Sequence, residues 1–149
     1  MRVEGTRVLE APRDRVWDVL NDPAKLAQTL PGVESFSIED PTHWTAHVKV
    51  SLGLGGLKLK FRFEKRAERA PEHASLSAKG QGVGAIISME TSFDLAADGE
   101  SRTSMAWQAD VKVAGQVGAM GQRVFAPIVN QQVENVLASL ERQVAAGAA

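Results

Sequence analysis

The 149-residue sequence contains no cysteine, and aromatic residues make up only 5% of it. Without cysteine there can be no disulfide, no thiolate nucleophile and no cysteine-based metal site. No apolar run approaches the ~18 residues that a membrane-spanning helix needs. The opening residues, MRVEGTRVLEAP, lack the apolar centre of a signal peptide. Together these absences favour a cytoplasmic protein.

The charge balance also shows no large excess of one sign. The formal net charge is −1, with 44% hydrophobic and 23% charged residues, which is ordinary for a globular protein. No overall field therefore attracts nucleic acid, and nucleic-acid binding is not expected. The sequence contains no internal repeat and no long linker, so residues 1–149 are predicted to form a single domain.

The first third of the chain predicts one strand, two short helices and the start of a sheet. RVEGTRVLE (2–10) has the character of a strand, and Pro12 is suited to the first turn of a helix, where its missing N–H would be unbonded anyway. A second short helix in PAKLAQTLPG (23–32) is ended by Pro31 and Gly32.

From residue 33 the apolar residues recur with period two, which is typical of strands. The predicted strands span 33–39, 43–52, 57–69, 73–82, 85–96 and 103–113. Short turns, among them GLGG (53–56) and Asp98-Gly99, make neighbouring strands antiparallel. Their one-sided apolar faces predict a sheet that is exposed to water on one side and covered on the other.

The expected cover is a helix over roughly 116–146, which carries a broad apolar stripe. The predicted fold is therefore α+β: a curved antiparallel sheet of about seven strands wrapped round a long C-terminal helix, with two short helices after the first strand. This helix begins with Gly115, Gly118 and Gly121 and contains Pro127, all of which weaken a helix. Two hypotheses stay open: a gate formed by Gly118, Gly121 and Pro127, or a close-packed helix start with a fixed kink.

Several segments resemble one known family. They are Gly5, AP…VWDVLNDPAKL…LPGVE (11–34), VKV (48–50), KGQGVG (79–84) and T…W…DVKVAGQVGAMGQRV (103–124). With the order of elements, they resemble the START-like, helix-grip (SRPBCC) superfamily, and within it the carbon monoxide dehydrogenase G-subunit (CoxG-like) family. The resemblance covers nearly the whole chain.

The resemblance implies a cavity between the sheet and the long helix that binds a lipid, a quinone or another apolar molecule. It also implies an accessory role beside a molybdenum-containing carbon monoxide dehydrogenase or a related hydroxylase, and a location that includes the inner face of the cytoplasmic membrane. No cofactor is expected, and either a monomer or a dimer is compatible with the sequence.

Inward-facing apolar residues are predicted to line this cavity; the alternative is that they form a packed core. They are Trp17, Leu30, Trp44, Phe61, Phe63, Met89, Phe93, Met105, Trp107, Met120, Val124, Phe125 and Ile128. The indole N–H of Trp107 needs a partner, which could be Thr91 across the hairpin or a ligand carbonyl.

No catalytic or metal-binding group of residues is predicted. His43 and His47 would lie ~13 Å apart on the outer face of one strand, too far to share a metal. Inward polar residues are few: Thr91, Thr103, Arg7 and Lys65, the last two expected to be solvated at strand ends. Binding is therefore preferred to catalysis, with a cyclase or dehydratase of the same superfamily and a ligand-free docking adaptor as alternatives.

Two surface features complete the predictions. KGQGVG lacks the Lys-Ser/Thr pair of a phosphate loop, so a kinked or bulged strand is expected there. Lys49, Lys58, Lys60 and Arg62 form a basic docking face, for an acidic partner or for anionic lipid headgroups, or else a solvated face with acids such as Glu64 nearby. A turn at 53–56 would place Lys49 opposite Lys60 and His47 opposite Arg62.

Overall fold

A computed structural model describes residues 1–29, 32–51 and 56–146. Over these residues the chain forms seven strands and four helices. In chain order they are β1 (Arg2–Leu9), α1 (Arg13–Asn21), α2 (Pro23–Thr29), β2 (Val33–Asp40), β3 (His43–Ser51), β4 (Gly56–Arg69), β5 (His73–Gly82), β6 (Ala85–Ala97), β7 (Thr103–Ala114), α3 (Gly115–Ala119) and α4 (Gln122–Ala146).

The strands form one antiparallel sheet in the order β1-β7-β6-β5-β4-β3-β2. Strands β2 to β7 follow one another through hairpins, whereas β1 pairs with β7, the last strand of the chain. The pair runs from Arg2 opposite Asp110 to Leu9 opposite Thr103. The prediction of an α+β fold with a curved antiparallel sheet, a C-terminal helix and two short helices after the first strand is confirmed.

The glycine-rich segment contains no bulge among its described pairs, so that prediction is wrong. Pairing with β6 is regular from Lys79 through to Gly82 opposite Ala85, because a two-residue turn reverses the chain and Gly84 takes a φ of +79° there. A bulge lies instead in β4, between Lys65 and Ala67, where β4 pairs with β5. An extra residue at such a point bends the strand, and this one contributes to the curvature of the sheet.

Two clusters of buried side chains stabilise the two ends of the molecule. The first joins β1, α1, β6 and β7 to the C-terminal half of α4, with Leu9 and Leu140 at 0% and 2% exposure. The second is centred on Trp44 of β3, whose ring stacks on Phe63 of β4 with 5.6 Å between centroids. Because α4 joins only the first cluster, its N-terminal half lies over a part of the sheet that the core does not fill.

The predicted single helix over 116–146 is two helices, α3 and α4, and that expectation is corrected. The chain breaks at Met120 and Gly121, and Gly121 has a φ of +90°, a left-handed conformation that residues with a side chain rarely adopt. Pro127 lies inside α4 and leaves the carbonyl of residue 123 without its helical N–H partner.

Three polar side chains, predicted to face inward, tie the elements together. Arg7 donates from Nε to Glu141 of α4 at 2.6 Å, and this hydrogen bond raises the pKa of Arg7 above its ordinary value. Lys65 donates to the backbone oxygen and the side-chain oxygen of Asn21, at 2.7 and 2.8 Å. The fully buried Thr103 donates to the carbonyl of Ala11 at 2.7 Å. Arg7 and Lys65 are therefore anchors for helices rather than solvated strand ends.

Candidate ligand cavity

A cavity of about 320 Å³ separates the concave face of the sheet from the N-terminal half of α4. Its wall takes side chains from α1, α2, β3 to β7, α3 and α4. Ligand pockets in proteins are usually ~300–1,000 Å³ and mainly apolar, and this cavity falls at the small end of that range.

The exposure of the wall residues changes along the cavity. At one end the residues are buried, for example Trp44, Phe63 and Leu140 at 2%, 7% and 2% exposure. At the other end Leu57 of β4 and Val117 of α3 are only partly buried. The cavity is therefore closed near α1 and α2, and it opens toward the β5–β6 turn and α3.

Glycines on neighbouring strands allow aromatic rings to lie flat against the sheet. A methyl group on Gly80 would come within 2.6 Å of the Phe61 ring, and one on Gly5 within 3.0 Å of the Trp107 ring. The rings of Phe61 and Phe63 stack in turn, 5.9 Å apart. Since the rings lie along the sheet instead of standing across the cavity, space remains under α4.

Nine of the thirteen predicted lining residues border the cavity, although their role in binding stays a prediction. They are Trp44, Phe61, Phe63, Met89, Phe93, Met105, Trp107, Phe125 and Ile128.

Three of the thirteen do not border it. Trp17 packs in the core, edge-on to Phe93 at 6.4 Å. Met120 and Val124 are 58% and 47% exposed, because the break before α4 turns the chain at this point and places them outside the cavity-facing stripe. Leu30 lies outside the described residues.

Other wall residues are not among the thirteen predicted from the sequence. Most are aliphatic and belong to the same alternating or helical patterns, so the pattern itself could have found them; they include Val48, Val50, Leu57, Ile87, Val113, Val129 and Val136. Gln132 of α4 escapes prediction because it is polar and interrupts the apolar stripe. Its position, seven residues after Phe125, is the one signal that could have found it.

The polar residues of the wall are Thr29, Thr91, Ser92 and Gln132. Thr29 donates to the carbonyl of Leu26 at 2.6 Å, and Thr91 donates to the carbonyl of Gln108 at 2.8 Å. The hydrogen bond expected between Trp107 and Thr91 is therefore not formed, since Trp107 lies opposite Phe93 and the threonine hydroxyl turns to the backbone. A ligand carbonyl stays the predicted partner of Trp107.

The segment proposed as a gate is tightly packed where it leaves the sheet. A methyl group on Gly118 would overlap the carbonyl of Val113, and one on Gly115 would come within 2.7 Å of the Gly84 oxygen. Val117 also donates its backbone N–H to the carbonyl of Gly84 at 3.0 Å. These contacts favour the close-packed helix start at Gly118, whereas Gly121 has no neighbour within 4 Å of its missing Cβ. A gate at Gly121 and Pro127 stays a prediction.

The three histidines lie outside the cavity. His43 contacts Asp40 at 3.1 Å, and His73 contacts Asp94 at 2.7 Å. Hydrogen bonds from the backbone and side chain of Thr42, and from His43, lower the pKa of Asp40 to about 2. His47 meets Ser35 at 3.3 Å. Among residues 1–29, 32–51 and 56–146, no group of three or more acidic or histidine side chains could hold a metal ion.

The basic face lies on the outer side of the sheet, but its register differs from the prediction. Lys49 lies opposite Lys58, His47 opposite Lys60, and Thr45 opposite Arg62. The shift of two residues arises because β4 already begins at Gly56, which pairs with Ser51. An even shift leaves every side chain on its predicted face.

None of the four basic side chains takes part in an ion pair within the described parts of the chain. Glu64, the acid expected to neutralise them, lies 3.5 Å from Arg66 instead. Lys79 of β5 lies opposite Arg62 and extends the positive surface across a third strand.

Within the described ranges, no helix is both long enough and apolar enough to cross a bilayer.

Comparison with known proteins agrees with this architecture. The family model described as the G subunit of carbon monoxide dehydrogenase (CoxG) matches residues 5–145. No curated protein sequence is detectably similar to the chain. A conserved protein from Geobacillus kaustophilus has a similar structure, with a TM-score of 0.89, 21% identity, and coverage of 97% of this chain and 95% of that one.

Two further solved structures share the fold at lower similarity. One is a START superfamily protein from Mycobacterium smegmatis, with a TM-score of 0.75, 17% identity and 96% of both chains covered. The other is the Zhui aromatase/cyclase from Streptomyces sp. R1128, with a TM-score of 0.62, 21% identity, and coverage of 97% of this chain and 95% of that one. At these identities the likeness establishes the fold alone.

Proposed function

Because this chain belongs to the CoxG family of carbon monoxide dehydrogenase, we propose that it binds an apolar small molecule, a lipid or a quinone, in its cavity. The observation that carries the proposal is the cavity of about 320 Å³ under α4, with a wall made mainly of aromatic and aliphatic side chains. Transfer of apolar ligand surface from water to such a wall is favourable by ~25 cal/mol per Å². Met89 and Met105 add side chains that adapt to a flexible ligand.

The binding protein would serve as an accessory to a molybdenum-containing carbon monoxide dehydrogenase or a related hydroxylase. The family supports this role, and the chemistry of the outer sheet surface supplies a means of docking. Lys49, Lys58, Lys60 and Arg62 present positive charge on two adjacent strands, about 4.8 Å apart, without an acidic partner among the described residues. We propose that this basic face docks on an acidic surface of the hydroxylase.

A cyclase or dehydratase activity is the second hypothesis, because one enzyme with this fold is an aromatase/cyclase. Such chemistry needs an acid or base within hydrogen-bonding distance of the substrate. The polar wall residues are two threonines, one serine and one glutamine, none of which titrates near neutral pH. This composition supports binding over acid–base catalysis.

The binding proposal is tested by native mass spectrometry of protein purified from its own host. We expect a 1:1 complex with a neutral apolar molecule, identified after solvent extraction. Purified apo protein should also bind the neutral dye Nile red at one site, with its fluorescence shifted to that of an apolar environment. Absence of both the copurifying molecule and saturable dye binding would contradict the proposal.

Docking through the basic face predicts a strong salt dependence. The variant Lys58→Glu/Lys60→Glu should lose affinity for the purified hydroxylase by at least about tenfold, and wild-type affinity should fall between about 0.05 and 0.5 M salt. The control is Lys25→Glu/Arg142→Glu, which reverses two exposed charges elsewhere and should behave as wild type. Equal loss in both variants would contradict a specific face. Binding to anionic vesicles alone, measured by cosedimentation, would indicate a membrane rather than a protein partner.

A further inference from the structure

Gln132 is the wall residue that a purely apolar ligand does not explain. We propose that Gln132 selects the polar end of the ligand, so that the cavity takes an uncharged molecule with a carbonyl or hydroxyl group in preference to an ionised lipid. The inference rests on the proposed function, and it adds the ligand's chemical class and the residue that recognises it.

The position of Gln132 places it in the middle of the cavity-facing stripe of α4. Residues three, four and seven apart share one side of a helix. Phe125, Ile128 and Val136 border the cavity at these spacings from Gln132, which stands one turn from both Ile128 and Val136. An apolar residue would extend the stripe, whereas an amide there brings hydrogen-bonding atoms to an otherwise apolar stretch of the wall.

The amide of Gln132 makes no hydrogen bond to another group in the described parts of the chain. Two other glutamines of the same helix are engaged: Gln131 donates to Asn135 at 3.0 Å, and Gln143 donates to the carbonyl of Lys25 at 3.2 Å. The hydroxyls of the wall's two threonines already donate to backbone carbonyls. Gln132 therefore offers two N–H donors and one acceptor to a molecule in the cavity.

An apolar ligand without a matching group would displace water from this amide and leave it unsatisfied, which is unfavourable. A ligand carbonyl would accept from the amide, and a ligand hydroxyl would donate to it. A carboxylate gains less, since the described residues of the wall include no lysine, arginine or histidine that could serve as its counter-ion. Burial of an unpaired charge is strongly disfavoured, so the neutral ligand should bind more tightly.

The test compares two ligands of the same chain length, decan-2-one and decanoate, by displacement of Nile red at about pH 8, where a carboxylate is ionised. Wild-type protein should bind the ketone at least about tenfold more tightly than the carboxylate. Gln132→Leu should weaken the ketone by about three- to tenfold, the value of one hydrogen bond, while dye binding is retained. Gln131→Leu is the matched control, because its side chain is exposed and lies one position away.

Three results would overturn the inference: tighter binding of decanoate than of the ketone by wild type, equal ketone affinity in the Gln132 and Gln131 variants, or equal loss in both. Circular dichroism and thermal unfolding of each variant exclude misfolding as the cause of a loss. Wild-type protein that binds the dye and the ketone, with no effect at Gln132, would reject this inference and leave the apolar-carrier proposal intact. Failure of wild type to bind either compound would reject the carrier proposal itself.

Discussion

Ile128→Asp is expected to abolish binding of a neutral apolar ligand, with a rise in Kd of at least about 100-fold. Ile128 borders the cavity from α4, one turn before Gln132. An aspartate side chain is too short to reach water past the helix, so its carboxylate would be left in an apolar wall, and a bound ligand would remove its remaining hydration. The measurement is titration with Nile red, supported by native mass spectrometry.

The matched control for this variant is Val124→Asp on the same helix, one turn earlier. Val124 is 47% exposed and does not border the cavity. Its replacement introduces the same charge and the same helix propensity, so we expect Kd to change by less than about twofold. Comparable loss of binding in both variants would mean that the ligand occupies a different surface. Urea unfolding of both proteins establishes that each remains folded.

Leu9→Ala is expected to lower the free energy of unfolding by about 2–5 kcal/mol, the cost of emptying a well-packed core site. Leu9 is fully buried in the first core cluster, away from the cavity. The same substitution at Leu57, which borders the open end of the cavity and is only partly buried, should cost less than about 1.5 kcal/mol, because a residue beside an existing void loses fewer contacts when it is truncated.

The comparison of these two leucines separates a ligand cavity from a packed core. Both lie on strands, and both lose the same atoms on substitution, so the difference reports their surroundings. Urea denaturation of ligand-free protein supplies the two free energies. A loss at Leu57 as large as that at Leu9 would mean that the space under α4 is filled in solution, and that result would favour the docking-adaptor hypothesis.

Hydrophobic periodicity was sufficient for the elements and their faces. In β4 the alternation from Leu57 to Phe63 correctly separated inward from outward side chains, since a pleated strand presents successive residues to opposite sides. The same principle explains why the error in register between β3 and β4 did no harm to the assignment of faces. The loop that sets the register has no periodicity, so the pairing of Lys49 with Lys58 could not be derived from the pattern.

The sequence was less informative where a backbone turn or a distant contact decides the outcome. Gly118 and Gly121 look alike in the sequence, yet one packs against the carbonyl of Val113 and the other takes a left-handed conformation at the break between α3 and α4. That break explains why Met120 and Val124 fall outside the cavity although they fit a continuous apolar helix. Long-range contacts, such as the anchoring of β1 to α4 through an arginine and a glutamate 134 positions apart, lie beyond any local pattern.

By itself, the sequence determined the fold class, the family and the apolar nature of the inner face, because these depend on local periodicity and on short motifs. Only the tertiary structure decided that β1 lies beside β7, that Trp17 belongs to the core, and that space remains between the sheet and α4. The physical reason is that apolar residues pack equally well against one another or around a ligand. Which of the two occurs depends on how far the anchored half of α4 holds its other half above the sheet.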